Sequence, residues 1–287
     1  MSQRIGLGCA NLLRASLPEL IELAARHGFP TITVRPLAFV QALEAGTGEK
    51  MLRRLLADAG VRATLLDAII DALPGVPPLE TLDPEARALL PADVLRAPNT
   101  ETCFRCAEAL ELPVVNVVHY RGPALPLEQM SEAVGAICLR AKARGFRISL
   151  EFLPESGLPS LPFTAAAIAA SGAPNCGITL DVFHLDRGGG TVQDILALPP
   201  GLIANIQISD RTPSAPGTHA KPLTGRQMPG EGQIPLYALT NAALANSPNA
   251  TLDIEVLNEE LQKLPMDEAA ARLAAGARSF ATIALTP

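Results

Sequence analysis

The chain has 287 residues, of which 48% are apolar but only 3% aromatic, with no Trp. Its core must therefore be built from Leu, Ile, Val and Ala, which suits helices packed on a parallel sheet better than an aromatic-rich β-sandwich. The net charge is −6, from 23 basic and 29 acidic residues without long single-sign runs; this excludes an electrostatic footprint for nucleic acid or an anionic membrane and leaves a small soluble molecule as the expected partner.

Short β-branched runs alternate with amphipathic stretches along the whole chain. "RIGLGC" at 4–9 is the first strand candidate, and a helix follows that opens with the capping-box pair Ser16 and Glu19 and stops at Gly28. "TITVRP" from Thr31 is the second strand, followed by helical periodicity from about Phe39 to Ala59. "VRATLLDAI" from Val61 is the third, and the Pro-rich stretch 73–98 reads as a loop insertion with one short helix. The helical "TCFRCAEAL" then carries Cys103 and Cys106. This CxxC has no second pair, and the five Cys read as reduced structural thiols, not a zinc or redox site.

Strands four to eight are "VVNVVHY" from Val114, "RISLEFLP" from Arg147, "CGITLDVF" from Cys176, "LIANIQISD" from Leu202 and "ATLDIEVL" from Ala250. A Pro- and Gly-bearing loop spans 211–235, and the last helix runs from about Met266 to Ala281. Eight strand-helix units predict a single (β/α)₈ TIM barrel domain over 1–287, with its active site at the C-terminal strand ends. A doubly wound sheet would need a Gly-rich phosphate turn after strand one, and "GLGCAN" is a poor match. No apolar run approaches the ~20 residues that span a bilayer, and "MSQRIGLGCANLLR" lacks an apolar signal core, so the cytoplasm is the expected location.

In a barrel the strand-end polar residues Arg35, Asp67, His119, Glu151, Asp181, Gln207 and Glu255 face the mouth, where burial is costly without a metal, substrate or hydrogen-bond partner. Glu151, Asp181 and Glu255 sit inside otherwise apolar strands. Carboxylates crowded there repel one another, and a divalent cation relieves the repulsion. With the carboxamide oxygen of Gln207 they make an oxygen-rich set that suits one Mg²⁺ or Mn²⁺. Taken singly, Asp181 reads equally as a helix cap, and Gln207 is no signal.

The histidines differ. His27, just before Gly28, reads as a cation at a helix C-terminus. His219 lies in a loop and carries no signal. His119 fits either a substrate contact or a satisfied structural histidine. His184, three residues after Asp181, is close enough to reach over a metal-bound ligand.

The stretches "LEFLP" (150–154), "GITLDVFHLDRGG" (177–189), "IQISD" (206–210), "RQMPGEGQIPL" (226–236) and "IEVLNEELQKLP" (254–265) resemble the xylose isomerase-like TIM-barrel superfamily in order and spacing. The branch is that of sugar phosphate isomerases and epimerases, with inosose isomerases, hydroxypyruvate isomerases, ketose 3-epimerases and 3-dehydroshikimate dehydratases among its members. The match covers the C-terminal half, while the N-terminal half matches only in rhythm.

The resemblance implies one divalent metal held by Glu151, Asp181, Gln207 and Glu255. The third position is often His in that family, so Gln207 departs from the commonest pattern. It further implies that His184 and Arg226 hold substrate oxygens, that Gly230 and Gly232 let the turn after Arg226 approach the ligand, and that the barrel pairs as a homodimer. The expected reaction is isomerisation or epimerisation of a small ketose, sugar phosphate, inosose or hydroxy-keto acid through an enediolate, with Glu151 and Glu255 as paired acid and base. A dehydratase using the same site is the close alternative. A DNA repair endonuclease would need more His and a basic surface. A non-catalytic metabolite-binding barrel would be expected to have lost one of the three carboxylates.

Overall fold

In this computed structural model, residues 5–76, 81, 95–120, 122–212 and 226–284 are described. His219, residues 213–225 of the second long loop, and residues 77–80 and 82–94 of the Pro-rich stretch with its expected short helix lie outside them.

All eight expected strands form: β1 (Ile5–Leu7), β2 (Thr31–Val34), β3 (Arg62–Ile69), β4 (Val114–Val118), β5 (Arg147–Glu151), β6 (Cys176–Asp181), β7 (Ile203–Ile208) and, after a short hairpin, β10 (Thr251–Ile254). The hairpin strands β8 (Asp210–Arg211) and β9 (Arg226–Gln227) pair antiparallel. The eight strands close into a parallel barrel in the order β1-β10-β7-β6-β5-β4-β3-β2. This is a TIM barrel.

Strand side chains alternate between two environments with period two. Ile148, Leu150, Ile178, Leu180, Ile206 and Ile254 belong to the main apolar core, and burying each such side chain stabilises the fold by roughly 1.5–3 kcal/mol. The intervening positions are polar and bond to one another. Thr179 Oγ1 donates to Ser149 Oγ at 2.8 Å, and Asn205 Nδ2 donates to Thr251 Oγ1 at 2.7 Å and to the Asp253 carboxylate. The same parity carries Glu151, Asp181 and Gln207 to the C-terminal mouth, with Glu255 one residue beyond β10.

The first helix, Leu17–His27, has the expected capping box at Ser16 and Glu19. It ends at Gly28, whose φ of +80° is costly for a residue with a Cβ. The single helix expected over Phe39–Ala59 is two, Pro36–Glu44 and Glu49–Ala59. The break falls at Gly46, in left-handed backbone, and Gly48, which caps the second helix. All five Cys are buried and unpaired. Among the described residues no helix is long and apolar enough to cross a membrane.

Candidate active site

Glu151, Asp181, Gln207 and Glu255 converge at the barrel mouth, each more than nine-tenths buried. Asp181 serves two ends of the structure. Its Oδ1 accepts from the amides of Phe183 at 2.7 Å and His184 at 3.4 Å, capping the helix Val182–Arg187, and its Oδ2 faces Arg226 Nη1 at 2.8 Å. The cap and the site are therefore the same residue.

Arg226 is the cation of the cluster. Its Nη1 lies 3.1 Å from Glu255 Oε2 and donates to the Glu255 carbonyl at 3.2 Å, its Nη2 lies 3.4 Å from His184 Nε2, and its guanidinium stacks 4.6 Å from the Phe183 ring centre. The β8-β9 hairpin delivers it, and Asp210 holds the following turn by accepting from Ile234 N at 2.9 Å and Gly230 N at 3.2 Å. Gly232 is required there because a Cβ would lie 2.2 Å from the Arg211 carbonyl and 2.3 Å from Asp210 Oδ1.

His184 Nε2 stands 3.5 Å from Asp181 Oδ2 and 3.6 Å from Glu151 Oε1. Burial, opposed by Asp181, pushes its pKa down to about 4, so the ring is neutral near pH 7. His119 is not brought into the cluster. It is fully buried, Nε2 lies 2.9 Å from the Pro74 carbonyl, and Nδ1 accepts from Gly157 N at 2.9 Å. Both ring nitrogens are thus used to tie two loops together. Arg35, also on the list of strand ends, donates to the carbonyls of Leu13 at 2.8 Å and Ala15 at 3.3 Å.

Two site residues carry no role in the sequence reading. Asn116 Nδ2 donates to Glu151 Oε2 at 2.7 Å and to Asp67 Oδ1 at 2.8 Å, and Asp67 Oδ2 accepts from Gln207 Nε2 at 3.0 Å. Asn116 had a signal, as the lone polar residue within "VVNVV". Asp67 stands on the list of strand-end residues, but nothing there pairs it with Gln207 across the barrel.

Four carboxyls, Asp67, Glu151, Asp181 and Glu255, thus share this mouth with the Arg226 guanidinium. Burial, reinforced by Asp67 and Asp181, raises Glu151 well above the usual carboxylate range. Burial raises Glu255 likewise although Arg226 opposes it, and it raises Asp67 against its two amide donors. Asp181 alone is lowered, since Arg226 and His184 override its burial. The donors fit a cation. Glu151, Asp181 and His184 each offer one ligand atom within 4.8 Å of the others, and the buried Oε1 of Gln207 has no hydrogen-bond partner. Glu255 is not part of that group; its Oε2 lies 3.1 Å from Arg226 Nη1.

Comparison with known proteins agrees with the barrel. A search of curated protein sequences finds no match. Among solved structures the chain is similar to the IolI protein with a bound zinc atom (TM-score 0.81, 17% identity, covering 99% of this chain and 100% of that one). It is also similar to D-psicose 3-epimerase with D-tagatose from Clostridium cellulolyticum H10 (0.68, 16%, 99% and 100%). A third is the probable 3-DHS dehydratase AsbF of Bacillus anthracis (0.67, 15%, 95% and 97%). The family described as xylose isomerase-like TIM barrel matches residues 21–280. With nearly the whole barrel inside that match, the chain belongs to the xylose isomerase-like TIM barrel family.

Proposed function

We propose that this chain is a divalent-metal-dependent isomerase or epimerase of a small polyhydroxy carbonyl compound. The observation that carries the reading is the convergence of Glu151, Asp181, Glu255 and the unpartnered Gln207 Oε1 at one buried mouth, beside the Arg226 guanidinium. Those four residues would hold the ion. When bound it supplies positive charge beside the substrate carbonyl, which acidifies the neighbouring C–H. The oxygen-rich set favours Mg²⁺ or Mn²⁺, while His184 beside it, and the zinc in the IolI structure, keep Zn²⁺ in the test.

The remaining chemistry belongs to side chains. Glu151 and Glu255, whose proton affinity burial has raised, would remove the proton and return it from different sides of the pocket. Arg226 and neutral His184 would donate to substrate oxygens that gain negative charge. A dehydratase is the second reading, motivated by the likeness to AsbF.

The test is metal analysis of the purified protein together with a panel of ketoses, inososes and dehydroshikimate. Absence of any bound or activating divalent ion would refute the reading, and a conjugated product absorbing in the ultraviolet would replace isomerase with dehydratase.

A further inference from the structure

We infer that Asp67 is a positioning residue that turns the Gln207 carboxamide so that its oxygen, not its nitrogen, faces the ion site. The inference rests on the metal site proposed above. An ionised carboxylate only accepts hydrogen bonds, and the NH₂ group is the only donor a Gln side chain has. Asp67 Oδ2 at 3.0 Å from Gln207 Nε2 therefore selects one of the two amide orientations and leaves Oε1 on the other side. That oxygen is buried and without a hydrogen-bond partner, as a reserved ligand atom would be.

The placement is specific to this network. β3 and β7 are four strands apart around the eight-stranded barrel, so Asp67 and Gln207 meet across it and not along a ladder. Asp67 Oδ1 is fixed in turn by Asn116 Nδ2, which also donates to Glu151 Oε2. One acceptor thereby orders two amides, and each presents its NH₂ group to carboxylates. A metal-ligating His commonly has its second nitrogen held by an outer carboxylate. Asp67 supplies the corresponding constraint for a Gln.

The experiment titrates Mn²⁺ into the EDTA-stripped full chain by calorimetry, for the parent, Asp67→Asn, Gln207→Ala and the double variant. Asp67→Asn is expected to raise the Kd for Mn²⁺ by about 10–100-fold, the usual cost of losing an outer-shell partner. In the Gln207→Ala background the same substitution should change it by no more than about twofold, as for uncoupled sites. Equal losses in both backgrounds would show Asp67 acting as a bare charge or a ligand, and would overturn the assignment. So would an unchanged Kd in Asp67→Asn.

If Asp67→Asn has no cooperative melt, Gln207→Glu decides. It adds a charged ligand but removes the NH₂ donor facing Asp67, so binding weaker than the parent supports the inference and tighter binding overturns it. A parent chain that takes up no Mn²⁺ would defeat the metal site itself. A parent that binds while Asp67→Asn is indistinguishable from it defeats only the role of Asp67.

Discussion

Replacing Arg226 with Met should make the metal-free protein much less stable and make its stability depend strongly on a divalent ion. Arg226 is 1% exposed, and its guanidinium faces Asp181 Oδ2 at 2.8 Å and Glu255 Oε2 at 3.1 Å. With charge centres ~4 Å apart and an effective dielectric of ~20, the pair with Asp181, whose carboxyl Arg226 holds below the usual range, contributes about 4 kcal/mol of Coulomb attraction. Desolvation of the ions offsets much of this, but deleting one partner of a buried cluster still costs about 3–5 kcal/mol, because the remaining charges stay buried. Met approximates the volume and loses the charge. For a domain of this size each kcal/mol moves Tm by roughly 2–4 °C, so the expected fall is roughly 6–20 °C by calorimetry in EDTA. Excess Mn²⁺ should recover more in the variant than in the parent, where binding at 100 times Kd adds about 2.7 kcal/mol, since in the variant the ion also replaces the missing charge. A fall below about 2 °C in EDTA, or equal metal-induced shifts in both proteins, would refute the claim that Arg226 is the charge partner of the carboxyls.

Glu151→Gln and Glu255→Gln should each lower turnover by about 10²–10⁴-fold while far-ultraviolet circular dichroism stays that of the parent; full activity in both would remove their acid and base roles. His119→Gln should leave turnover intact and flatten the acid limb of stability. Burial lowers the His119 pKa below 6.5 in the folded state, so the folded chain binds fewer protons than the unfolded one. The stability this provides is present above about pH 6.5 and is lost as pH falls through the lowered value. Denaturant midpoints between pH 5 and 8 read it, and an unchanged slope in the variant would count against it. Gly232→Ala should reduce both kcat/KM and Tm because the added Cβ must displace Asp210 or the Arg211 carbonyl. Gly48→Ala, where no heavy atom lies within 4 Å and φ is −69°, should leave kcat/KM unchanged.

The barrel was legible because its strands announce themselves twice, by β-branched composition and by polar residues at matching ends. "RISLE" and "CGITLD" each alternate Ile or Leu with small or acidic residues, and each ends on the carboxylate that reaches the mouth. The stretch Phe39–Ala59 forms two helices and not one for a local reason. The apolar positions on either side fit one helix, but Ala45–Gly48 between them carries two glycines, and Gly46 takes up left-handed backbone. The Pro-rich expectation over 73–98 falls largely outside the described residues.

The residues of the mouth were legible in the sequence, but the hydrogen bonds between them were not. Parity along a strand says that Glu151 and Gln207 face inward, but it cannot say that Asp67 reaches Gln207 from the far side, since that contact depends on the width of the closed barrel. Nor can spacing divide the labour of one side chain. The three-position step from Asp181 to His184 fits a helix cap and a site equally, and the structure uses one carboxylate oxygen for each. The consequence is energetic. Asp181 cannot be removed to test the site alone, because Asp181→Ala also exposes the amides of Phe183 and His184, a cap loss of about 0.5–2 kcal/mol. Asp181→Asn keeps the capping oxygen and removes the charge, so a loss of metal affinity in Asp181→Asn with the helix intact would isolate the electrostatic half of its role.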